Sequence, residues 1–162
     1  MKRRTFLALL MAILIATVGI CSPPRPDFSG KWKQSNERSI PRRTGNVTLH
    51  IEHRDPELAV KTNIIRGSAV PRHADQRYTT DGKVSVSTGA DGDEFHTSIV
   101  WSGQSLAFSI EEHEDGRILL SRETWTLIEN GAAIERVRES PEAFLSSSGK
   151  QTLIYIREVP QT

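Results

Sequence analysis

Phe28-Ser29-Gly30-Lys31-Trp32 is the stretch on which the reading of this chain turns. It sits between two unlike regions. Before it lies an apolar leader. After it comes a long series of short segments in which apolar and polar residues alternate, separated by turn residues. The stretch therefore reads as the first strand of whatever the alternating segments build.

The leader, Met1 to Ser22, has the three parts of an export signal. Lys2, Arg3 and Arg4 are its basic start, Leu7 to Ile20 its apolar run, and Cys21-Ser22 a small-residue end followed by the helix-stopping Pro23-Pro24. The run is shorter than the ~20 residues a spanning helix needs, so cleavage is expected, with no transmembrane span in the mature protein. Two export routes fit. Arg3, Arg4, Phe6 and Leu7 resemble the twin-arginine motif, whereas the strongly apolar run suits the general secretory route. The expected address is periplasmic or secreted. A lipoprotein anchored through Cys21 is the minority alternative, because Ile20 stands where a small residue is needed.

Cys21 is the only cysteine in 162 residues, so cleavage at or after it leaves no disulfide, thiol nucleophile or thiolate ligand. The remaining roughly 140 residues are enough to bury a core without staples. The whole-chain charge of +1 includes three basic residues of the leader; without them 18 basic residues face 20 acidic ones, a net of −2. That balance, with charges interspersed, argues against nucleic acid as a partner.

Pro23 to Asp27 is a short linker, and residues 28–158 form one domain. Asn46 to His53 places Val47, Leu49 and Ile51 against Thr48, His50 and Glu52, the strict alternation of a half-buried strand. Comparable segments run over Leu58 to Ile65, Asp75 to Thr80, Lys83 to Thr88, Glu94 to Trp101, Gln104 to Glu112, Arg117 to Ile128, Ala132 to Glu139 (around Ile134 and Val137) and Lys150 to Arg157. Asp81-Gly82, Ser102-Gly103, Asp115-Gly116 and Asn130-Gly131 read as tight hairpin turns. Asn36 to Pro41 reads as a loop or single helical turn, and Ser140 to Gly149 as a loop with a turn of helix at Glu142 to Leu145. Sequential strands joined by tight turns pair as an antiparallel meander, and closing it removes its two free edges. The expected fold is all-β, an up-and-down meander closed into a barrel of about eight to ten strands. A two-sheet sandwich is the runner-up.

A leader, then Phe-Ser-Gly-x-Trp, then an unbroken meander that contains Thr80-Asp81-Gly82-Lys83: this arrangement resembles the lipocalins and the broader calycin group, closest to small exported bacterial lipocalin-like proteins. The resemblance implies that Trp32 packs across the closed end of the barrel, that Gly30 belongs to the same motif, and that Arg157, in the last strand, caps the indole. It also implies a small-molecule binding barrel. The C-terminal helix and disulfides usual in lipocalins have no counterpart here.

The inward faces contain Val47, Leu49, Ile51, Leu58, Val60, Ile64, Phe95, Ile99, Trp101, Leu106, Phe108, Ile110, Trp125 and Leu127. Thr62, Thr97 and Glu123 fall on the same faces and are the polar residues expected to touch a ligand, with Trp101, Phe108 and Trp125 as its aromatic walls. A carboxylate inside a barrel requires a cation such as Arg136 or Arg138, unless a bulge turns Glu123 outward. The five histidines show no metal-ligand spacing and read as surface residues; Asp91, Asp93 and Glu94 around Gly92 read as an Asp-Gly turn. No nucleophile elbow, phosphate loop or His-Glu-x-x-His occurs, so no catalytic residue, cofactor or metal is assigned. The reading is a binding protein for a small, mostly apolar ligand. The alternatives are a filled barrel serving as a structural or interaction module, and an enzyme with its chemistry at the barrel mouth.

Overall fold

The computed structural model describes residues 24–89, 92–140 and 149–159. Among the described residues ten strands follow one another: β1 (Gly30–Ile40), β2 (Asn46–Arg54), β3 (Glu57–Ile65), β4 (Arg72–Thr79), β5 (Asp81–Thr88), β6 (Glu94–Ser102), β7 (Ser105–Glu114), β8 (Arg117–Ile128), β9 (Ala133–Glu139) and β10 (Lys150–Arg157). They form one sheet in the order β4-β3-β2-β1-β10-β9-β8-β7-β6-β5. Every pairing is antiparallel, and β1 against β10 joins the two ends of the meander. The result is a nearly closed up-and-down barrel with the apolar residues of alternate positions inside. Val47, Leu49, Ile51, Leu58, Val60, Ile99, Leu106, Phe108 and Trp125 are buried, and Ile64, Trp101, Ile110 and Leu127 pack against them. Among the described residues no helix is long and apolar enough to cross a membrane.

Two local features differ from the sequence reading. First, β1 runs on through the polar Gln34 to Ile40 instead of breaking into a loop or helical turn. The backbone of β10 supplies the ladder: Gln34 pairs with Tyr155 and Ser35 with Ile154, then the register shifts before Ile40 pairs with Thr152. Ser39 fills the irregularity, its hydroxyl donating to the Ser35 carbonyl at 2.7 Å and accepting from the Ile154 N–H at 3.2 Å.

Second, Asp81-Gly82 does not make a hairpin. β4 and β5 are the two edges of the sheet and share no ladder. Thr80, between them, is tied elsewhere: its N–H donates to the Pro56 carbonyl at 2.8 Å and its hydroxyl to Asp55 Oδ1 at 2.5 Å. Asp81 already pairs with Val100 on β6, so the chain leaves β4 and joins the far side of a seam.

The strand read around Ile134 and Val137 is β9, and the two residues lie on its opposite faces. The inward residues of β9 are Ile134, Arg136 and Arg138, as a period of two demands. The turn before β9 does follow the Asn-Gly signal: Asn130 and Gly131 take φ of 54° and 85° in a short 3-10 turn between the paired β8 and β9. The helical turn expected at residues 142–145, the leader and the 90–91 part of the acidic turn lie outside the described residues.

One end of the barrel is closed by the opening stretch itself. Phe28 and Trp32 are wholly buried. Ser29 latches onto β2, its hydroxyl accepting from the His53 N–H at 2.9 Å and donating to the His53 carbonyl at 3.1 Å. The Arg157 guanidinium lies over the Trp32 ring at 4.1 Å and donates to the carbonyls of Ser29 (2.5 Å) and Gly131 (2.9 Å). Gly30, at φ 140°, leaves the space for it: a Cβ there would stand 2.7 Å from Arg157 Nη1. The Trp32 indole donates to the Phe28 carbonyl at 3.0 Å, so this buried N–H is satisfied.

Candidate functional site

Above the plug, six strands enclose a cavity of about 170 Å³. Its apolar wall comes from Val60, Phe95, Phe108, Ile110 and Trp125; its polar wall from Thr62, Gln76, Tyr78, Thr97, Glu123, Arg136 and Arg138. The cavity spans the seam, since Gln76 and Tyr78 belong to β4 while Phe95 and Thr97 belong to β6. Larger hollows of 530–800 Å³ lie on the outer surface among exposed residues such as His50, Lys61 and Asp75. The interior space is the better candidate because buried polar groups converge on it.

At its centre is an ion pair. Glu123 is buried, the β7–β8 register runs through it without a bulge, and its side chain points inward. Arg136 reaches it from the neighbouring strand, donating to Oε1 from Nε at 2.7 Å and from Nη2 at 2.6 Å. The Trp125 indole N–H donates to the same oxygen. An unpaired carboxylate here would be very costly, so the arginine and indole are what permit it. The Arg136 guanidinium lies between the rings of Trp125 (4.5 Å) and Tyr155 (5.3 Å). Burial disfavours its charge, but Glu123 outweighs that and holds its pKa above the ordinary value.

Two phenols complete this layer. Burial pushes Tyr78 up to about 12, with Arg136 pulling it down and Glu123 adding to the rise. Tyr155 is likewise raised by burial against the pull of Arg136. Both are hydrogen-bond donors at neutral pH. Tyr155 contacts Arg136 and Gln34 through its hydroxyl, each at 3.4 Å.

Arg138 is different. Its Nη2 donates to Ser121 Oγ at 3.2 Å, its Nε is buried without a partner, and no carboxylate among the described residues lies within ion-pair distance. With Glu123 and Arg136 neutralising each other, Arg138 leaves the cavity with one uncompensated positive charge. A buried, orphaned Nε–H on a half-buried guanidinium is what an acidic or strongly accepting ligand group would satisfy.

Of the residues singled out from sequence, Thr62, Thr97, Phe108, Glu123 and Trp125 line this cavity together. Trp101 does not. Its indole donates to Asp55 Oδ1 at 2.8 Å, and its ring lies 6.2 Å from Phe28 and 5.8 Å from His53, so it belongs to the plug. Gly30, Trp32 and Arg157 sit at the closed end, away from the cavity lining. Sequence reasoning missed Tyr78 and Gln76, which lie on a strand too polar to show its inward face. Arg138 was named only as a possible partner for Glu123; its alternation with Ile134 and Arg136 was the available signal.

His53 also departs from the surface reading. Its side chain is only 3% exposed, and its Nδ1 accepts from the Phe28 N–H at 3.3 Å. Burial lowers its pKa, against the opposing pull of Asp27 and Asp55. His96 and His113, in contrast, come together with Glu111 on the outer face of β6 and β7.

No protein-family model matches the sequence, and no curated protein matches it. Solved structures do. The REP1-NXSQ fatty acid transporter superposes with a TM-score of 0.59 at 15% identity, over 82% of this chain and 97% of that one. Secretory abundant heat soluble protein 4 from Ramazzottius varieornatus gives 0.59 at 12%, over 82% and 95%. Echinococcus granulosus fatty-acid-binding protein 1 gives 0.56 at 10%, over 82% and 98%. At such identities the likeness is one of fold: this chain has the barrel of the fatty-acid-binding and lipocalin-like proteins.

Proposed function

We propose that this is an exported binding protein for a small, mostly apolar molecule that carries one acidic or strongly accepting group. The observation that carries the reading is the interior layer of Glu123, Arg136 and Arg138: two arginines and one carboxylate beside an aromatic and aliphatic wall. The ligand's polar group would sit on Arg138, with Tyr78, Thr62 and Thr97 at hand, and its apolar part against Phe108, Trp125 and Val60. Fatty-acid-binding and fatty-acid-transporting proteins among the structural neighbours support the apolar character of the ligand.

The size is more restrictive than the fold. Drug-sized ligands take about 300–1,000 Å³, and an engineered cavity of about 150 Å³ holds benzene. A space of about 170 Å³ therefore suits a short chain or single ring, with anything longer extending through the seam between β4 and β5. The leader, Met1 to Ser22, supports export, which would put the protein in the periplasm or outside the cell.

Titration of the purified protein with octanoate and with octanol, read by tryptophan fluorescence, tests this. Octanoate should bind saturably, and Arg138→Gln should weaken it roughly 10–100-fold, the worth of a charge-assisted hydrogen bond, while leaving octanol unchanged. No saturable binding of either, together with no small-molecule adduct in native mass spectra of protein from its own host, overturns the reading. It would leave the filled-barrel interaction module, which the exposed Val84, Val86, Ile118 and Leu120 on the outer face favour.

A further inference from the structure

A second site is built on the other side of the sheet from the cavity, and it stands independently of the ligand reading. The register of β6 against β7 places Glu94 opposite His113 and His96 opposite Glu111. All four point outward, because the inward residues here are Phe95 and Thr97 on β6 and Phe108 and Ile110 on β7. The two imidazoles stack at 4.5 Å with 27° between their planes. One ligand atom each from His96, Glu111 and His113 lie within 4.8 Å of one another.

We propose that His96, Glu111 and His113 bind a divalent transition-metal ion of the zinc class on the outer face of the barrel. Two imidazole nitrogens and a carboxylate oxygen are the donor set that zinc, nickel and copper prefer over magnesium or calcium. Ligand atoms bonded at about 2.0–2.2 Å stand roughly 3.4 Å apart at tetrahedral corners. Closing from 4.8 Å needs only side-chain rotation, which the partial exposure of all three residues allows.

The surroundings fit the same purpose. The Glu94 carboxylate holds Nε2 of His96. With its proton on Nε2, that ring presents the lone pair of Nδ1, and an acidic residue that fixes a histidine tautomer is the usual outer support of a metal ligand. Nε2 of His113 is buried without a hydrogen-bond partner, 3.8 Å from the Glu111 carboxylate. The cross-strand neighbours on the outer face are apolar: Val86 pairs with His96, Ile118 with His113 and Leu120 with Glu111. They offer no competing donors or acceptors. Three protein ligands leave a coordination position open for water or a partner's side chain.

Isothermal titration of the purified protein with Zn²⁺ tests the assignment. One ion per chain should bind, Mg²⁺ should give no heat, and Ni²⁺ should broaden the ring signals of His96 and His113 in NMR spectra. His113→Ala and His96→Ala should each weaken Zn²⁺ at least 100-fold, roughly the top of the range for losing a supporting residue alone, and Glu94→Gln about 10–100-fold. His50→Ala, remote on β2, should change nothing. These outward substitutions are not expected to unfold the barrel, which circular dichroism checks. The absence of saturable Zn²⁺ binding, an affinity unchanged in both histidine variants, or Ni²⁺ broadening centred on His50 or His73 overturns the site. An affinity unchanged in Glu94→Gln overturns the orienting role of that residue.

Discussion

Each member of the opening stretch has its own task. Phe28 fills the end of the core, Ser29 latches to the His53 backbone, Gly30 makes room for a guanidinium, and Trp32 lies under it. Lys31 alone faces solvent. The sequence pattern pointed to Trp32 and Arg157 through a family likeness; the reason for Gly30 is visible only once Arg157 stands beside it, 127 positions away in the chain. Trp32→Ala should lower the unfolding free energy by about 3–5 kcal/mol in urea denaturation, since a wholly buried indole is lost and Arg157 is left over a void. A loss below about 0.5 kcal/mol would mean the ring closes nothing. Trp101 shows the limit of alternation. Its position on β6 is inward by parity, as expected, but Asp55 and the Phe28 and His53 rings draw its indole to the plug. Such a contact joins residues 46 positions apart, and no spacing rule contains it.

At the scale of elements, period-two alternation found the strands wherever one face was apolar, as in β2, β7 and β8. On β4 it caught only Asp75 to Thr80 and missed the start at Arg72, because the strand is largely polar, and it missed the second half of β1, which is a strand because β10 pairs with it. The Thr80-Asp81-Gly82-Lys83 turn departs from its hairpin signal for a related reason. Its local chemistry is that of a hairpin, but Thr80 is bound to the β2–β3 turn through Pro56 and Asp55, which separates the strands on either side. β4 and β5 each have one hydrogen-bonded neighbour where the interior strands have two. Amide exchange should therefore be fastest on the seam-facing N–H groups of Arg72–Thr79 and Asp81–Thr88, and slowest along β1 and β10. Equal protection across the seam would mean the barrel closes there in solution. The outward His96, Glu111 and His113 cluster was likewise beyond spacing arguments, because the two histidines stand seventeen positions apart and only the β6–β7 register makes them neighbours.

For the whole molecule, the interior divides into a tightly packed, sealed end and a charged layer above it. His53 links the sealed end to pH. Its pKa in the fold lies below the ordinary 6.5 because burial disfavours the imidazolium. Between the folded and unfolded values the unfolded chain binds the extra proton, so stability is full above about pH 6.5 and declines as pH falls below it. A protonated Nδ1 could no longer accept from the Phe28 N–H. The urea midpoint should fall between pH 7.5 and 5.5, and His53→Leu should flatten that slope; an equal slope in the variant would assign it to other groups. Asp55 titrates in a separate window: burial raises its pKa, hydrogen bonds from Thr80, Trp101 and Arg25 outweigh this and hold it below 3.8, so its contribution is lost only in stronger acid. The barrel class was legible because a long meander has few other ways to hide its edges. The cavity's charge was half legible, in Glu123 and its need for a cation; the surplus cation, Arg138, depends on which arginine the carboxylate takes.

The pairing of β1 with β10 has a consequence for how the molecule is made. The ladder joins Trp32 to Arg157, so its loop is nearly the whole barrel, and closing it carries the largest entropic cost in the topology. Until β10 has been synthesised, β1 is an open strand edge, the Trp32 indole has no cap, and Ser39 has no Ile154 amide to bind. Nine strands can pair as they emerge; the tenth decides whether the sheet becomes a barrel. A nascent chain therefore carries a sticky edge for most of its synthesis, and a chaperone that shields β1 would protect this protein at its most aggregation-prone stage.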